Sequence, residues 1–113
     1  MEINEYQDLA LKTASYPSVE RNTIYPALKL AGESGEVADK IGKWWRNNNI
    51  TEGDQLDKDQ KLALTLELGD VLWYIAALAG ELNISLEEVA DRNIDKLQDR
   101  KKRNVIKGEG DNR

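Results

Sequence analysis

The longest apolar stretch of the chain, residues 62–80, carries only two charged side chains, Glu67 and Asp70. They are three residues apart and would share one face of a helix. A carboxylate that faces a core is strongly disfavoured unless it is paired, hydrogen-bonded or bound to a metal. A membrane span of about 20 residues is a rival interpretation, but each acid would cost about 2.5 to 3.5 kcal/mol near a bilayer centre. We therefore expect the buried central helix of a globular domain and no membrane partner.

A second acidic pair, Glu33 and Glu36, repeats this spacing upstream. Taken alone, the pair is equally well explained as an ordinary solvated face of a helix. If the two helices pack antiparallel, however, the four carboxylates form an all-oxygen cage for a hard divalent cation. Ligands of this type favour magnesium, with manganese as the alternative, over zinc or copper. The pattern therefore predicts a metal site formed by Glu33, Glu36, Glu67 and Asp70.

The composition restricts the chemistry further. A chain of 113 residues fits one domain, and it contains neither cysteine nor histidine. Disulfides, thiolate zinc sites, imidazole bases and the Glu-x-x-His pairs of di-iron bundles are therefore excluded. No basic start followed by an apolar run precedes the first helix, so we expect a cytoplasmic protein.

Four helical segments and no strand-like alternation predict an all-α fold resembling a four-helix bundle. The first two expected helices cover residues 4–14 and 25–46. The third follows the acidic turn Thr51–Asp57 and reaches about residue 82, and the fourth covers residues 85–103. The third helix is apolar on most sides and is expected to be enclosed by its neighbours. Ser85 and Glu88 have the spacing of a capping box at the start of the fourth. Residues 1–103 are predicted to form the domain, and residues 104–113 a polar tail that is mobile or ordered only by a ligand or partner.

Basic residues are concentrated at the carboxyl end of an otherwise acidic chain of net charge −5. Lys96 and Arg100 are one turn apart on the fourth helix, and Lys29 lies one turn before Glu33. Their cations suit phosphate oxygens, although each is also explained as a solvated side chain. This distribution disfavours broad nucleic-acid binding and permits a small polyanionic ligand.

Several aromatic and amide side chains are candidates for a base or sugar pocket. Tyr74 follows Asp70 by one turn, Asn93 precedes Lys96 by one turn, and Trp44 and Trp45 end the second helix. Aromatic residues at helical spacing more often fill cores, and Trp73 is expected in the core or at a subunit interface.

Three motifs together resemble the MazG family of all-α nucleotide pyrophosphohydrolases. They are Gly32-Glu33-Ser34-Gly35-Glu36-Val37-Ala38, then Glu67-Leu68-Gly69-Asp70-Val71-Leu72, then Lys96-Leu97 with Arg100. The similarity extends from about residue 25 to 103, and the tail, Gly-x-Gly-Asp-Asn-Arg, is also similar to that of small single-domain relatives. The proline that usually follows the arginine of the third motif is absent here.

The resemblance implies magnesium held by Glu33, Glu36, Glu67 and Asp70, and phosphate contacts from Lys29, Lys96 and Arg100. It also implies hydrolysis of a nucleoside triphosphate to the monophosphate and pyrophosphate, in a dimer or tetramer. Water activated by the metal would attack the α-phosphorus, with Glu36 and Glu67 as catalytic carboxylates and Glu36 favoured as the base. A non-catalytic helical module for nucleotide or protein binding is the alternative, and the nucleotide's base and sugar stay open.

Overall fold

A computed structural model describes residues 1–51, 53 and 55–113 of the chain. The regular structure of these residues is entirely helical, with α1 over Ile3–Leu11, α2 over Ile24–Arg46, α3 over Lys58–Glu81 and α4 over Leu86–Lys102. The all-α fold is therefore confirmed, and the expected boundaries agree with those observed to within three residues. Two residues of the predicted acidic turn, Glu52 and Asp54, lie outside the described residues.

Local sequence accounts for where the helices begin and end. Asp57 and Gln60 form a reciprocal capping box at the start of α3, with N–H to side-chain oxygen distances of 2.7 and 2.9 Å. Ser85 caps α4 by accepting from the backbone N–H of Glu88 at 3.1 Å, but the Glu88 carboxylate pairs with Arg92 at 3.6 Å and does not complete the expected box. Asparagines with φ of +57° to +60°, a conformation common just after helices, follow α2, α3 and α4 at Asn48, Asn83 and Asn104.

The pairing of α2 with α3 is the largest helix contact in the fold. Lys40 near the end of α2 faces Glu67 near the start of α3, whereas Tyr25 at the start of α2 meets Tyr74 further along α3. Residue numbers rise along one helix as they fall along the other. The two helices are therefore antiparallel, as the predicted carboxylate cage requires.

A small core lies where α1, the end of α3 and the start of α4 meet. Its buried members are Ala10, Ala76, Ala79 and Leu86. Gln7 is buried beside them and joins three segments, because its amide donates to the carbonyls of Ala76 and Ile84 and accepts from the N–H of Leu86. Alanines bring these backbones close, and the fully bonded glutamine avoids the cost of a buried unpaired polar group.

The expectation that α3 is enclosed on most sides is wrong for its amino-terminal half. Ala76 and Ala77 are fully buried, but Leu62, Leu66 and Leu68 are 58, 65 and 55% exposed. By length and composition alone α3 passes as a membrane span, a test that the core helix of a soluble protein also passes. Neighbours within the chain thus bury the carboxyl-terminal half of α3 more completely than its amino-terminal half.

The α1–α2 loop is attached to the end of α3 by one carboxylate. Glu81 accepts hydrogen bonds from the Tyr16 hydroxyl and from the backbone N–H groups of Glu20 and Asn22. The Tyr16 hydrogen bond, helped by the two N–H groups, lowers the pKa of Glu81 below its ordinary value of 4.5. Glu20, which has φ +77°, is thereby held in a conformation unusual for a residue with a side chain.

We predict an acid-dependent loss of stability that depends on this carboxylate. The pKa of Glu81 is lower in the folded than in the unfolded state. Its contribution to the free energy of unfolding is therefore complete above about pH 4.5 and is lost as the pH falls through the folded-state pKa. Urea unfolding of Glu81→Gln between pH 7 and pH 3 should show a weaker acid dependence than the original chain. Tyr16→Phe should also weaken the acid dependence of the free energy of unfolding. An unchanged acid dependence in both variants would show that Glu81 does not provide this stability.

Candidate metal centre and adjoining cavity

Three of the four predicted carboxylates converge between α2 and α3. One oxygen each of Glu33, Glu67 and Asp70 lies within 4.8 Å of the others. Glu33 and Glu67 are half-buried, and Asp70 is more exposed. The antiparallel pairing produces this cluster, because it sets the Glu33 turn of α2 against the turn of α3 that carries both acids. The arrangement offers oxygen ligands from two helices to one cation.

Glu36, the fourth predicted ligand, is not part of this cluster. It lies one turn further along α2 with an exposed side chain. A fourth carboxylate brought into the cluster without a further cation would add to the repulsion among the three carboxylates already there. Its role as a ligand or as a base stays a prediction.

Two lysines lie against the carboxylates. Lys29 Nζ is 3.8 Å from Glu33 Oε1, and Lys40 Nζ is 3.4 Å from Glu67 Oε1. Lys29 was expected near the site, but Lys40 was missed. Its spacing was available as a signal, because Lys40 follows Glu36 by four residues and Glu33 by seven, which places it on the same face of α2.

An open cavity of about 570 Å³ adjoins the acids, and four of its nine lining residues are aromatic, so we call it the aromatic cavity. It is lined by Thr13, Ser15, Tyr16, Pro17, Tyr25, Glu33, Asp70, Trp73 and Tyr74. Its volume lies in the range of small-molecule sites. Tyr74 lies in the wall of this cavity. Thr13 and Tyr16 come from the α1–α2 loop and Tyr25 from the first turn of α2, and these three were not predicted.

The cavity walls are held in place by contacts with each other. The Trp73 indole N–H donates to Thr13 Oγ1 at 2.8 Å, and the rings of Tyr16 and Tyr25 are stacked at 5.3 Å. Trp73 therefore packs against the core, as expected, and also lines the cavity. Such fixed aromatic faces suit a flat ring.

Tyr74 presents a neutral hydroxyl to this cavity. Burial, then the hydrogen bond with Tyr25, and then the charges of Glu33 and Asp70 raise the pKa of Tyr74 to about 12. At neutral pH the phenol keeps its proton and remains a hydrogen-bond donor next to the carboxylates.

Other predicted pocket residues lie elsewhere. Trp44 and Trp45 are at the far end of α2, where Trp45 is 59% exposed, and neither lines the aromatic cavity. Asn93 and Lys96 line a second cavity with Ile84, Glu88, Val89 and Arg92. The two cavities have no lining residue in common. Within a single chain, the basic face of α4 is thus separate from the carboxylates.

Arg100 contacts the tail. Its side chain is only 6% exposed, its guanidinium donates to the Gly110 and Asp111 carbonyls at 3.5 and 3.1 Å, and it lies 3.6 Å from the Asp111 carboxylate. Lys96 Nζ is 4.0 Å from the same carboxylate. Arg113 in turn donates to the carbonyls of Val105 and Ile106. These contacts place the tail against α4. Whether it is mobile, or ordered only by a ligand or partner, stays a prediction.

We predict that Arg100→Met releases the tail while the helices remain. Loss of hydrogen bonds from a charged donor costs about 2 kcal/mol locally, which corresponds to about 30-fold faster amide exchange in residues 105–113. Hydrogen exchange followed by mass spectrometry measures this, and Lys101→Met, an exposed neighbour, is the control. Equal protection in both variants would show that Arg100 does not hold the tail.

Fold and site together define an all-helical domain with a cluster of three carboxylates between two antiparallel helices, next to a cavity with aromatic walls. A family model described as the MazG nucleotide pyrophosphohydrolase domain matches residues 22–105. The chain is also 43% identical over 121 aligned positions, covering all of both chains, to the "Gene 37 protein" of Mycobacterium phage L5, a name that states no activity. No solved structure matches significantly. The chain belongs to the MazG nucleotide pyrophosphohydrolase family.

Proposed function

We propose that this chain is a magnesium-dependent enzyme that hydrolyses a nucleoside or deoxynucleoside triphosphate to the monophosphate and pyrophosphate. The observation that carries the proposal is the convergence of Glu33, Glu67 and Asp70 beside an aromatic cavity. Family membership supplies the reaction class. We place the protein in the cytoplasm and assign it neither a nucleic-acid nor a membrane partner.

The donor set fits the proposed cation. Carboxylate oxygens from two helices, without histidine or cysteine anywhere in the chain, suit Mg²⁺ and permit Mn²⁺. The chemistry that a bound divalent cation supplies is charge neutralisation on phosphate oxygens and a lowered pKa of the attacking water.

The chain's own residues would bind and orient the nucleotide. The aromatic cavity would receive the base, with the Tyr74 hydroxyl donating to the sugar or base. Lys29, which has a 43% exposed side chain and lies 3.8 Å from Glu33, would contact a phosphate. Glu36 and Glu67 are proposed to act on the water, and Glu36 is the favoured base because its exposed carboxylate is free of the three-acid cluster.

We propose that Lys96 makes its phosphate contact across a subunit interface. Among the described residues, α4 packs on α1 and α3 and not on α2, and Lys96 faces a different cavity from the acids. The proposal that a second copy completes the fold is supported by the exposed leucines on α3 and by a radius of gyration of 17.0 Å, against about 13 Å for a compact chain of this length. Arg100 would contact the phosphates together with Lys96 only if its guanidinium lost its contacts with the tail.

Substitution of the acids tests the enzyme. Glu67→Gln and Asp70→Asn should each lower kcat/KM for triphosphate hydrolysis by at least 100-fold, because each removes a charged ligand. Chromatography of products from a panel of nucleoside triphosphates with Mg²⁺ measures this, and unchanged circular dichroism shows retained folding. Nucleotide binding that is indifferent to Mg²⁺ and to Glu67→Gln, without turnover of any substrate by the original chain, would favour the non-catalytic module.

Self-association has a separate test. We expect a dimer or tetramer by light scattering, and Leu66→Lys should shift it towards the 12.8 kDa monomer, because it places a charge on an apolar helix face. Ile106→Lys, at an exposed apolar residue of the tail, is the matched control. A monomeric original chain at tens of micromolar would rule the interface out.

A further inference from the structure

Lys40 is the charged residue at the carboxylate cluster that the proposed function leaves without a role. Its ammonium lies 3.4 Å from Glu67 Oε1, and its side chain is 36% exposed. Together with Lys29, Glu33 and Glu36 it forms one stripe along α2, with spacings of four, three and four residues. The stripe places one lysine at each end of the two glutamates.

The charges explain why a lysine is placed there. Three carboxylates within 4.8 Å of one another repel, and the two lysines offset most of that negative charge. An ion pair as exposed as that of Lys40 with Glu67 contributes little to stability by itself. It can therefore be exchanged for a stronger partner at low cost.

A divalent cation and Lys40 both require the Glu67 carboxylate. A cation held by Glu67 would repel the adjacent ammonium, so the two occupants exclude each other in part. The displaced ammonium remains attached to α2 beside the cluster, where its four-carbon chain can reach an anionic group bound there.

We propose that Lys40 is a displaceable counter-ion of Glu67, which competes with the divalent cation and then binds the phosphates of the substrate. The first part concerns the metal-free protein and needs no turnover. The second part rests on the proposed function and makes Lys40 a further phosphate-binding residue of the same site.

Metal binding tests the first part. Lys40→Met should bind Mn²⁺ about tenfold more tightly than the original chain, because a repelling and competing charge is gone. Lys40→Arg should bind it as the original does. Lys43→Met is the matched control, because Lys43 is on the same helix and pairs with Asp39 at 2.8 Å, away from the cluster. Titration calorimetry and electron paramagnetic resonance of free Mn²⁺ give the affinities.

Thermal unfolding separates this role from a merely structural ion pair. A counter-ion predicts that saturating Mn²⁺ raises the Tm of Lys40→Met by more than it raises that of the original chain. A structural pair predicts the same loss of Tm with and without Mn²⁺. Unchanged or weaker Mn²⁺ binding by Lys40→Met would overturn the proposal.

Kinetics with excess Mg²⁺ tests the second part. Lys40→Met should raise the KM for a triphosphate about tenfold. Lys40→Arg should have a KM close to that of the original chain, and Lys43→Met should leave the KM unchanged. An unchanged KM in Lys40→Met would overturn the phosphate contact. If the original chain hydrolyses no triphosphate, the proposed function fails, and the Mn²⁺ measurements still decide the counter-ion.

Discussion

Repulsion between three carboxylates at the α2–α3 contact is the constraint on which the rest of the structure depends. Two unit charges 4 Å apart interact by about 1 kcal/mol in water and about 4 kcal/mol at an effective dielectric constant of 20. Such a cost applies to Glu33, Glu67 and Asp70 unless cations lie close by. The ammonium groups of Lys29 and Lys40 are those cations. The antiparallel register of α2 and α3, the charge stripe of α2 and the proposed cation site are therefore parts of one electrostatic arrangement.

Packing is distributed unevenly around this arrangement. The buried residues cluster where α1, the end of α3 and the start of α4 meet, and alanines with the bonded Gln7 hold that region together. Towards the start of α3 the leucines are exposed, although they would contribute most to stability if covered. The carboxylates lie between the packed and the exposed part of α3. A second copy that covered the leucines would also enclose the site, so assembly and activity would depend on the same surface.

Physical reasons separate the predictions that held from those that failed. Glu67 and Asp70 were identifiable because few explanations exist for two acids in an apolar helix. Lys40 was harder to single out: its spacing from Glu33 and Glu36 places it on their face of α2, but a solvated lysine has the same spacing until its partner on α3 is known. The role of Arg100 could not be decided from the sequence either, because a guanidinium that binds phosphate and one that donates to backbone carbonyls look the same in a sequence. Tyr16 enters the cavity from the α1–α2 loop, whose course periodicity does not predict, and the stacking of Tyr25 on Tyr16 depends on that course.

The α1–α2 loop links a wall of the cavity to the end of α3 through the Glu81 carboxylate. Tyr16 forms a wall of the aromatic cavity and also donates its hydroxyl to Glu81. Ser18 and Glu20, with φ of +58° and +77°, adopt conformations that carry a cost, and the Glu20 N–H is held by the same carboxylate. Loss of Glu81 would therefore relax the loop and move a cavity wall while the clustered carboxylates on α2 and α3 stayed in place. In the proposed function, base selectivity would then change more than cation binding, because the loop supplies Tyr16 to the cavity and none of the three clustered carboxylates.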